Sequence, residues 1–276
     1  MKDWLKVKIR YVAMLFKNIF SHIYRYFEPV EKINNELFKI DAIDGTNRET
    51  QDKSAEDFLA EIDNTKRNIN TPKISAIYRV KNGAEYIELA MLSVAPLVNE
   101  IVCVDNGSTD DTMTIVQRLK EELKDIVTIR IYQYKERTEL AGSGYSKRVK
   151  DNPSGSLAKF YNYCFGLGTS DYLIKCDAHY IFTAKGLYHI QRAIKERPDF
   201  ILYSGLEIYG KKMGSEPFIF KNNEDYEFVD DLRYERLVLK GTKKVQINTP
   251  CFLHVKRISY AKNIRKSGGA LANKYL

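Results

Sequence analysis

Between residues 74 and 203, short apolar runs alternate with amphipathic stretches, and that alternation leaves few folds open. Residues 74–80, 101–104, 127–134, 172–176 and 200–203 are rich in β-branched and aromatic side chains and read as strands. Residues 85–95, 110–124, 156–167 and 183–197 carry helical spacing between them. Strands and helices alternating at this interval predict an α/β fold whose mostly parallel sheet is covered by helices on both faces. Pro72 marks the start of that domain, which runs to residue 276. Residues 41–71 are polar and read as a linker, with one short helix starting at a Ser54 cap that has Asp57 three residues on. The charged, glycine-containing stretch 135–153 reads as a mobile loop.

The first 40 residues form a separate segment. Leu5, Ile9, Val12, Phe16, Ile19, Phe20, Ile23 and Phe27 recur three or four residues apart, which predicts an amphipathic helix ended by Pro29. Six basic and two acidic side chains fall within residues 1–28, so half of the chain's +8 formal charge sits there. Such a helix can lie on an anionic membrane surface, and the same apolar stripe could instead pack on the main domain or a second subunit. The pattern does not separate these, so peripheral membrane binding and homo-oligomerisation both stay open. No run approaches the roughly 18 apolar residues of a spanning helix, and no small-residue cleavage site follows the segment. The four cysteines lack zinc-site spacing and read as buried thiols in a reducing compartment. The expected location is therefore cytoplasmic, with the inner face of the plasma membrane as the peripheral option. The basic residues form no aromatic-interleaved strand face, so no nucleic-acid partner is expected.

Open α/β sheets bind ligands outside the carboxyl ends of their strands, and polar residues cluster there. Arg79, Lys81, Asn82 and Gly83 follow the first strand, the run from Asp105 to Asp111 follows the second, and Asp177 and His179 follow the fourth. Basic groups, carboxylates and an imidazole around one crevice suit a nucleotide diphosphate and a divalent metal. The chain has no GxxxxGK[ST] phosphate loop, no GxGxxG after its first strand and no GxSxG elbow.

The run ISAIYRVKNGAEYIELAMLSVAPLVNEIVCVDNGSTDDTMTIVQRL resembles the opening of family 2 glycosyltransferases of the GT-A fold. The segments SLAKFYNYCFGLGTSDYLIKCDAHY, FIFKNNEDYEFVDDLRYERL and PCFLHVKR extend the similarity to about residue 257. The resemblance implies an inverting glycosyltransferase acting with Mn2+ or Mg2+. It would move a sugar from a nucleotide-diphosphate donor to a glycan or lipid-linked acceptor in bacterial surface polysaccharide synthesis. Asp105 would bind the nucleoside, with Arg79, Lys81, Asn82, Lys159 and Asn162 as further donor-binding candidates. Asp177 would hold the metal in a DxD-like position whose third residue is His179 instead of Asp, with His254 as another ligand. Gly83 stands where the family often carries an acid. Glu235, in the RYERL frame 19 residues before His254, is the expected catalytic base, with Asp231 second. Two alternatives remain. A sugar nucleotidyltransferase would need a glycine-rich basic loop after the first strand, which RVKNG matches poorly. A catalytically degenerate, membrane-tethered sugar-binding protein would follow if His179 abolished metal binding.

Overall fold

The computed structural model of the chain describes residues 53–208 and 212–256. The expected amphipathic helix and residues 41–52 lie outside the described residues. In chain order the elements are α1 (Ala55–Lys66), β1 (Ile74–Val80), α2 (Ile87–Val94), β2 (Glu100–Asp105), α3 (Thr112–Glu122), β3 (Thr128–Gln133), α4 (Tyr145–Asp151), α5 (Leu157–Phe165), β4 (Tyr172–Cys176), β5 (Tyr180–Phe182), α6 (Ala184–Lys195), β6 (Phe200–Glu207), β7 (Glu216–Lys221), β8 (Tyr226–Asp230), β9 (Glu235–Leu239) and β10 (Lys244–His254).

Eight strands form one sheet in the order β3-β2-β1-β4-β7-β6-β10-β5, and β8 and β9 form a separate hairpin. The β3-β2-β1-β4 half is parallel, as is the pairing of β6 with β10. β7 runs antiparallel to β4 and β6, and β5 antiparallel to β10. Side-chain alternation divides the core into two layers. Ile74, Ala76, Tyr78 and Val80 face the layer that contains residues of α1, α2, α3 and α6, while Ile77 faces the one that contains α5 and Phe228 of β8. β2 repeats the pattern, with Ile101 and Cys103 on one side and Val102 and Val104 on the other. Burial on both faces explains why these strands are almost continuously apolar. All four cysteines are free and buried, as their apolar settings predicted.

The linker reading needs correcting from residue 54 onward. Ser54 Oγ accepts from the Asp57 amide and the Asp57 carboxylate accepts from the Ser54 amide, which starts α1 cleanly. Phe58 and Ile62, one turn apart, are both buried; the Phe58 ring lies 5.0 Å from that of Tyr188, and Gln191 Nε2 donates to the Ile62 carbonyl at 2.9 Å. Two apolar residues on a well-capped helix suffice to dock it on α6, so it is part of the domain. The stretch 135–153 differs from expectation as well. It contains α4, buries Tyr145 completely, and is tied by Asn106 Nδ2 donating to the Glu136 carbonyl at 2.7 Å.

Candidate active site

The parallel strands β1, β2 and β4 end on the same side, and the turns that follow are laced together. Asn82, in the left-handed region at φ 54°, accepts from the Thr109 amide at 2.8 Å, and its own amide donates to Ser108 Oγ at 2.9 Å. The Gly83 amide donates to Thr112 Oγ1 at 2.8 Å, and the Ala84 amide to Asp110 Oδ2 at 3.1 Å. A Cβ on Gly83 would sit 3.0 Å from that of Ala178, so the absent side chain lets the turn after β1 close against the turn after β4. Asp105 is buried and accepts from the amides of Gly107 and Ser108 at 3.3 and 3.0 Å. The VDNGSTDDT run is therefore a brace that shapes the crevice floor.

Above that brace lies an open crevice of about 330 Å³, lined among others by Arg79, Lys81, Asn82, Asp177, His179 and Lys256. Arg79, with a side chain only 3% exposed, donates from Nη2 to Asp177 Oδ1 at 2.5 Å and to the Cys176 carbonyl at 3.1 Å. Burial alone would raise the Asp177 pKa, but Arg79, His179 and Lys175 together hold it well below the usual carboxylate range. His179 Nε2 stands 3.7 Å from Asp177 Oδ2. Burial depresses this imidazole to about 4 despite the pull of Asp177, with Lys256 and His254 adding to the fall, so it is neutral near pH 7.

Strand pairing delivers His254 to the same place. It lies opposite Tyr180 on β5 and Glu207 on β6, and the Val255 amide donates to the His179 carbonyl at 3.1 Å. Its ring centroid is 4.9 Å from that of His179, and its Nδ1 is 3.1 Å from Glu207 Oε2.

Glu235 opens β9. Burial raises the Glu235 pKa, opposed by Lys175, Arg79 and Tyr161. The Tyr161 ring in turn lies over the Arg79 guanidinium, at 4.3 Å. The two carboxylates are thus driven in opposite directions, Asp177 downward by its ion pair with Arg79 and Glu235 upward by burial.

The sequence profile of Glycosyl transferase family 2 matches residues 75–262. The chain belongs to this family. No curated protein sequence matches it. Among solved structures it is similar to S. aureus TarS residues 1–349, with 15% identity and a TM-score of 0.49, over 70% of this chain and 63% of that one. It is also similar to Mycobacterium tuberculosis glucosyl-3-phosphoglycerate synthase in complex with Mn2+, UDP and glucosyl-3-phosphoglycerate. That match has 16% identity and a TM-score of 0.33, over 54% of this chain and 47% of the synthase. The family explains the mostly parallel α/β sheet, and the chain spans less than two thirds of the length of either of these solved structures.

The residues expected to form this family's site are not all used alike. Asp177, held by Arg79, lies beside His179, and His179 beside His254, while Lys81 and Asn82 line the crevice. Arg79 lines the crevice from a buried position in which it holds Asp177. Asn162 is engaged by the backbone of β8. Its Nδ2 donates to the Phe228 carbonyl at 2.8 Å and its Oδ1 accepts from the Phe228 amide at 2.9 Å, so both groups clamp β8. Lys159 is exposed on α5, where its charge helps to lower the Asp230 pKa. Asp231, the second choice of base, is exposed in the hairpin turn, accepts from the Leu232 amide and lies 3.3 Å from Arg236 Nε. None of its hydrogen-bond or ion-pair partners among the described residues belongs to the crevice.

A divalent cation is implied by the family, and the donor set can be tested for fit. Among the described residues no three Asp, Glu, His or Cys side chains gather in cation-holding geometry. Asp177 and the neutral His179 nevertheless place a carboxylate oxygen and an imidazole nitrogen 3.7 Å apart. That pair fits a cation whose other positions are filled by diphosphate oxygens and water, and the imidazole favours manganese over magnesium.

Sequence reasoning missed Lys175 and Tyr161. Lys175 is the lone charge inside the buried strand YLIKC, and that isolation was a usable signal. Tyr161 lies among other aromatics in KFYNYCF, where nothing distinguishes it.

Asp230, one residue before the hairpin turn, proves to be structural. Its Oδ1 accepts from the Ala158 amide at 3.1 Å and from the Tyr145 hydroxyl, and its Oδ2 from Ser156 Oγ at 2.7 Å. It therefore caps α5 from a distant strand. Burial would raise its pKa, but these hydrogen bonds and Lys159 hold it below the ordinary value. Asp230→Ala is expected to cost about 1–2 kcal/mol at neutral pH, a modest figure because the carboxylate is solvent-accessible. The stabilisation is present above the unfolded-state pKa and lost as pH falls through the lower folded one, so urea melts of the two proteins should converge in acid. A constant difference down to pH 2, taken here as about the acid end of that window, would assign the loss to packing instead.

Proposed function

We propose that the chain is an inverting glycosyltransferase that uses a nucleotide-diphosphate sugar and a hydroxyl acceptor on a glycan or lipid-linked glycan, in bacterial surface polysaccharide synthesis. The observation that carries this reading is the pair of carboxylates driven apart in proton affinity, Asp177 downward and Glu235 upward, around one buried arginine. An acid held ionised suits the cationic, diphosphate side of a transfer, and one with raised proton affinity suits proton abstraction.

In this reading the donor diphosphate lies in the crevice beside Lys81 and Lys256, with the nucleoside toward Asp105. Glu235 removes the acceptor hydroxyl proton as that oxygen attacks the anomeric carbon. The bond from that carbon to the diphosphate oxygen breaks, and the nucleoside diphosphate leaves with the electron pair. Asp177 and His179, with His254 beside them, would hold a divalent cation (Mn2+ or Mg2+), which when bound supplies countercharge to the leaving diphosphate.

The test is a panel of nucleotide sugars incubated with the full chain and manganese, magnesium or chelator. Nucleoside diphosphate release is expected with at least one donor, faster with manganese. If no donor is bound or turned over under any condition, the enzyme reading falls. No helix among the described residues is long and apolar enough to cross a membrane. The basic, apolar pattern of residues 1–28 supports an anionic membrane surface as the place where a lipid-linked acceptor is met. Deleting that segment should lower co-sedimentation with phosphatidylserine vesicles, and unchanged co-sedimentation would reject membrane placement by it.

A further inference from the structure

The turn between β8 and β9 carries side chains that its own folding does not call for. The Asp231 amide donates to the Tyr234 carbonyl at 2.9 Å, which leaves Leu232 and Arg233 at the tip. Hairpin tips favour glycine, asparagine and aspartate, which suit their backbone conformations and their exposure to water. Here Leu232 is 75% exposed and Tyr234 55%. A second loop is fastened to this one. The Gly142 amide donates to the Arg233 carbonyl at 2.6 Å, and the Ser146 amide to that of Leu232 at 3.4 Å. Gly142 makes this approach at φ 114°, which favours glycine. Arg148 pins the same loop from within, donating to the carbonyls of Leu140 and Ser143 at 2.5 and 2.9 Å. Leu140 is left 80% exposed.

We propose that these two loops form one docking surface for an anionic lipid bilayer, with Leu140, Leu232 and Tyr234 entering the headgroup layer. A bilayer fits these residues in three ways. A fluid phase accepts isolated apolar side chains on turns, whereas a protein partner has to supply a shaped pocket for each. Tyrosine and arginine beside a leucine suit an interface, since each places an apolar body inward and a polar end among headgroups. The charge is also complementary. Within residues 135–151 and 231–236 seven basic side chains stand against five acidic ones. Two of those acids, Glu139 and Asp231, are matched by Arg148 and Arg236 at 3.4 and 3.3 Å. Arg137, Lys147, Lys150 and Arg233 stay exposed around the apolar residues, where anionic headgroups attract them. This surface is separate from residues 1–28. Its use rests on the proposed function: Glu235 directly follows Tyr234, so a bilayer at the turn brings a lipid-linked hydroxyl to the base.

All four native cysteines are buried, so a thiol-reactive, environment-sensitive fluorophore marks Leu232→Cys alone in the full chain. A reference fluorophore goes on Ile69→Cys, an exposed position before β1, at the other end of the parallel strands from the crevice. With vesicles of phosphatidylcholine and phosphatidylserine, the label at 232 should shift to the blue and be quenched by lipids spin-labelled near the headgroup. The label at 69 should change little. Leu140→Ser in the 232-labelled protein replaces an exposed residue, so it costs the fold little. It should weaken the vesicle-dependent quenching by about threefold or more. No quenching at 232, or equal quenching at 232 and 69, would overturn the inference. So would a blue shift that grows with protein concentration in the absence of lipid, which would mark a surface for a second copy of this chain. Quenching is read without turnover. A quenched 232 label on a protein that transfers no sugar therefore refutes the proposed function and leaves the docking surface standing.

Discussion

Glu235→Gln is expected to lower kcat by about 10²–10⁴-fold, the usual worth of a positioned general base. Glutamine keeps the size of the side chain, so the nucleotide dissociation constant should stay within about twofold. The pH dependence sharpens the expectation. Burial raises the Glu235 pKa against Lys175, Arg79 and Tyr161, and the active form is the carboxylate. Wild-type kcat/KM should therefore fall as pH drops through a value above that of an exposed glutamate. Stability should run the other way. An acid whose folded-state pKa is raised favours the folded protein most at low pH and loses that contribution as pH rises through the folded value. Glu235→Gln should consequently be as stable as wild type or slightly more so near neutrality, while being nearly inactive. A variant that keeps kcat within about threefold would remove Glu235 from the base role.

The second large effect falls on Asp177. Asp177→Asn leaves the Arg79 guanidinium, 3% exposed, without its countercharge at 2.5 Å. Removing one partner of a buried ion pair typically costs about 3–5 kcal/mol, and the partial exposure of Asp177 places the expectation near the lower end. Because the Asp177 pKa is depressed, its stabilisation is complete above the unfolded carboxylate value of about 3.9 and disappears as pH falls through the folded one. The double variant Asp177→Asn with Arg79→Met removes both charges and should recover most of the stability, since the residual arginine is the source of the loss. Neither protein should transfer sugar. Urea denaturation and donor turnover read the two effects separately, and a double variant no more stable than the single one would show that the loss is not electrostatic.

The parts of the fold and site that were legible in the sequence are those with local causes. VDNGSTDDT could be read because each residue answers to its neighbours: Asp105 accepts from Gly107 and Ser108 amides, Gly107 takes φ 79°, and Asp110 accepts from the Thr112 amide. The Ser54 cap was visible for the same reason. Local capping could not say that α1 would dock, because Phe58 and Ile62 depend on Tyr188 and Gln191, more than 120 residues away. The partners of Arg79 and Asn162 were not legible, because both make contacts far along the chain, with Asp177 and with the β8 backbone. The raised proton affinity of Glu235 arises from burial that no spacing reveals.

The position of β10 bears on how the protein is made. It is the last described strand in the chain, yet it lies between β6 and β5, and β5 pairs with no other strand. A ribosome that has delivered residues 53–243 has supplied every strand of the β3-β2-β1-β4-β7-β6 part of the sheet, and domains begin to fold while they are synthesised. At that point the Asp177–Arg79 pair can exist, but His179 has no His254 beside it and no Val255 amide on its carbonyl. The imidazole side of the crevice is therefore completed only when β10 emerges, so in a nascent chain the turns after β1, β2 and β4 can lace together before His254 joins His179.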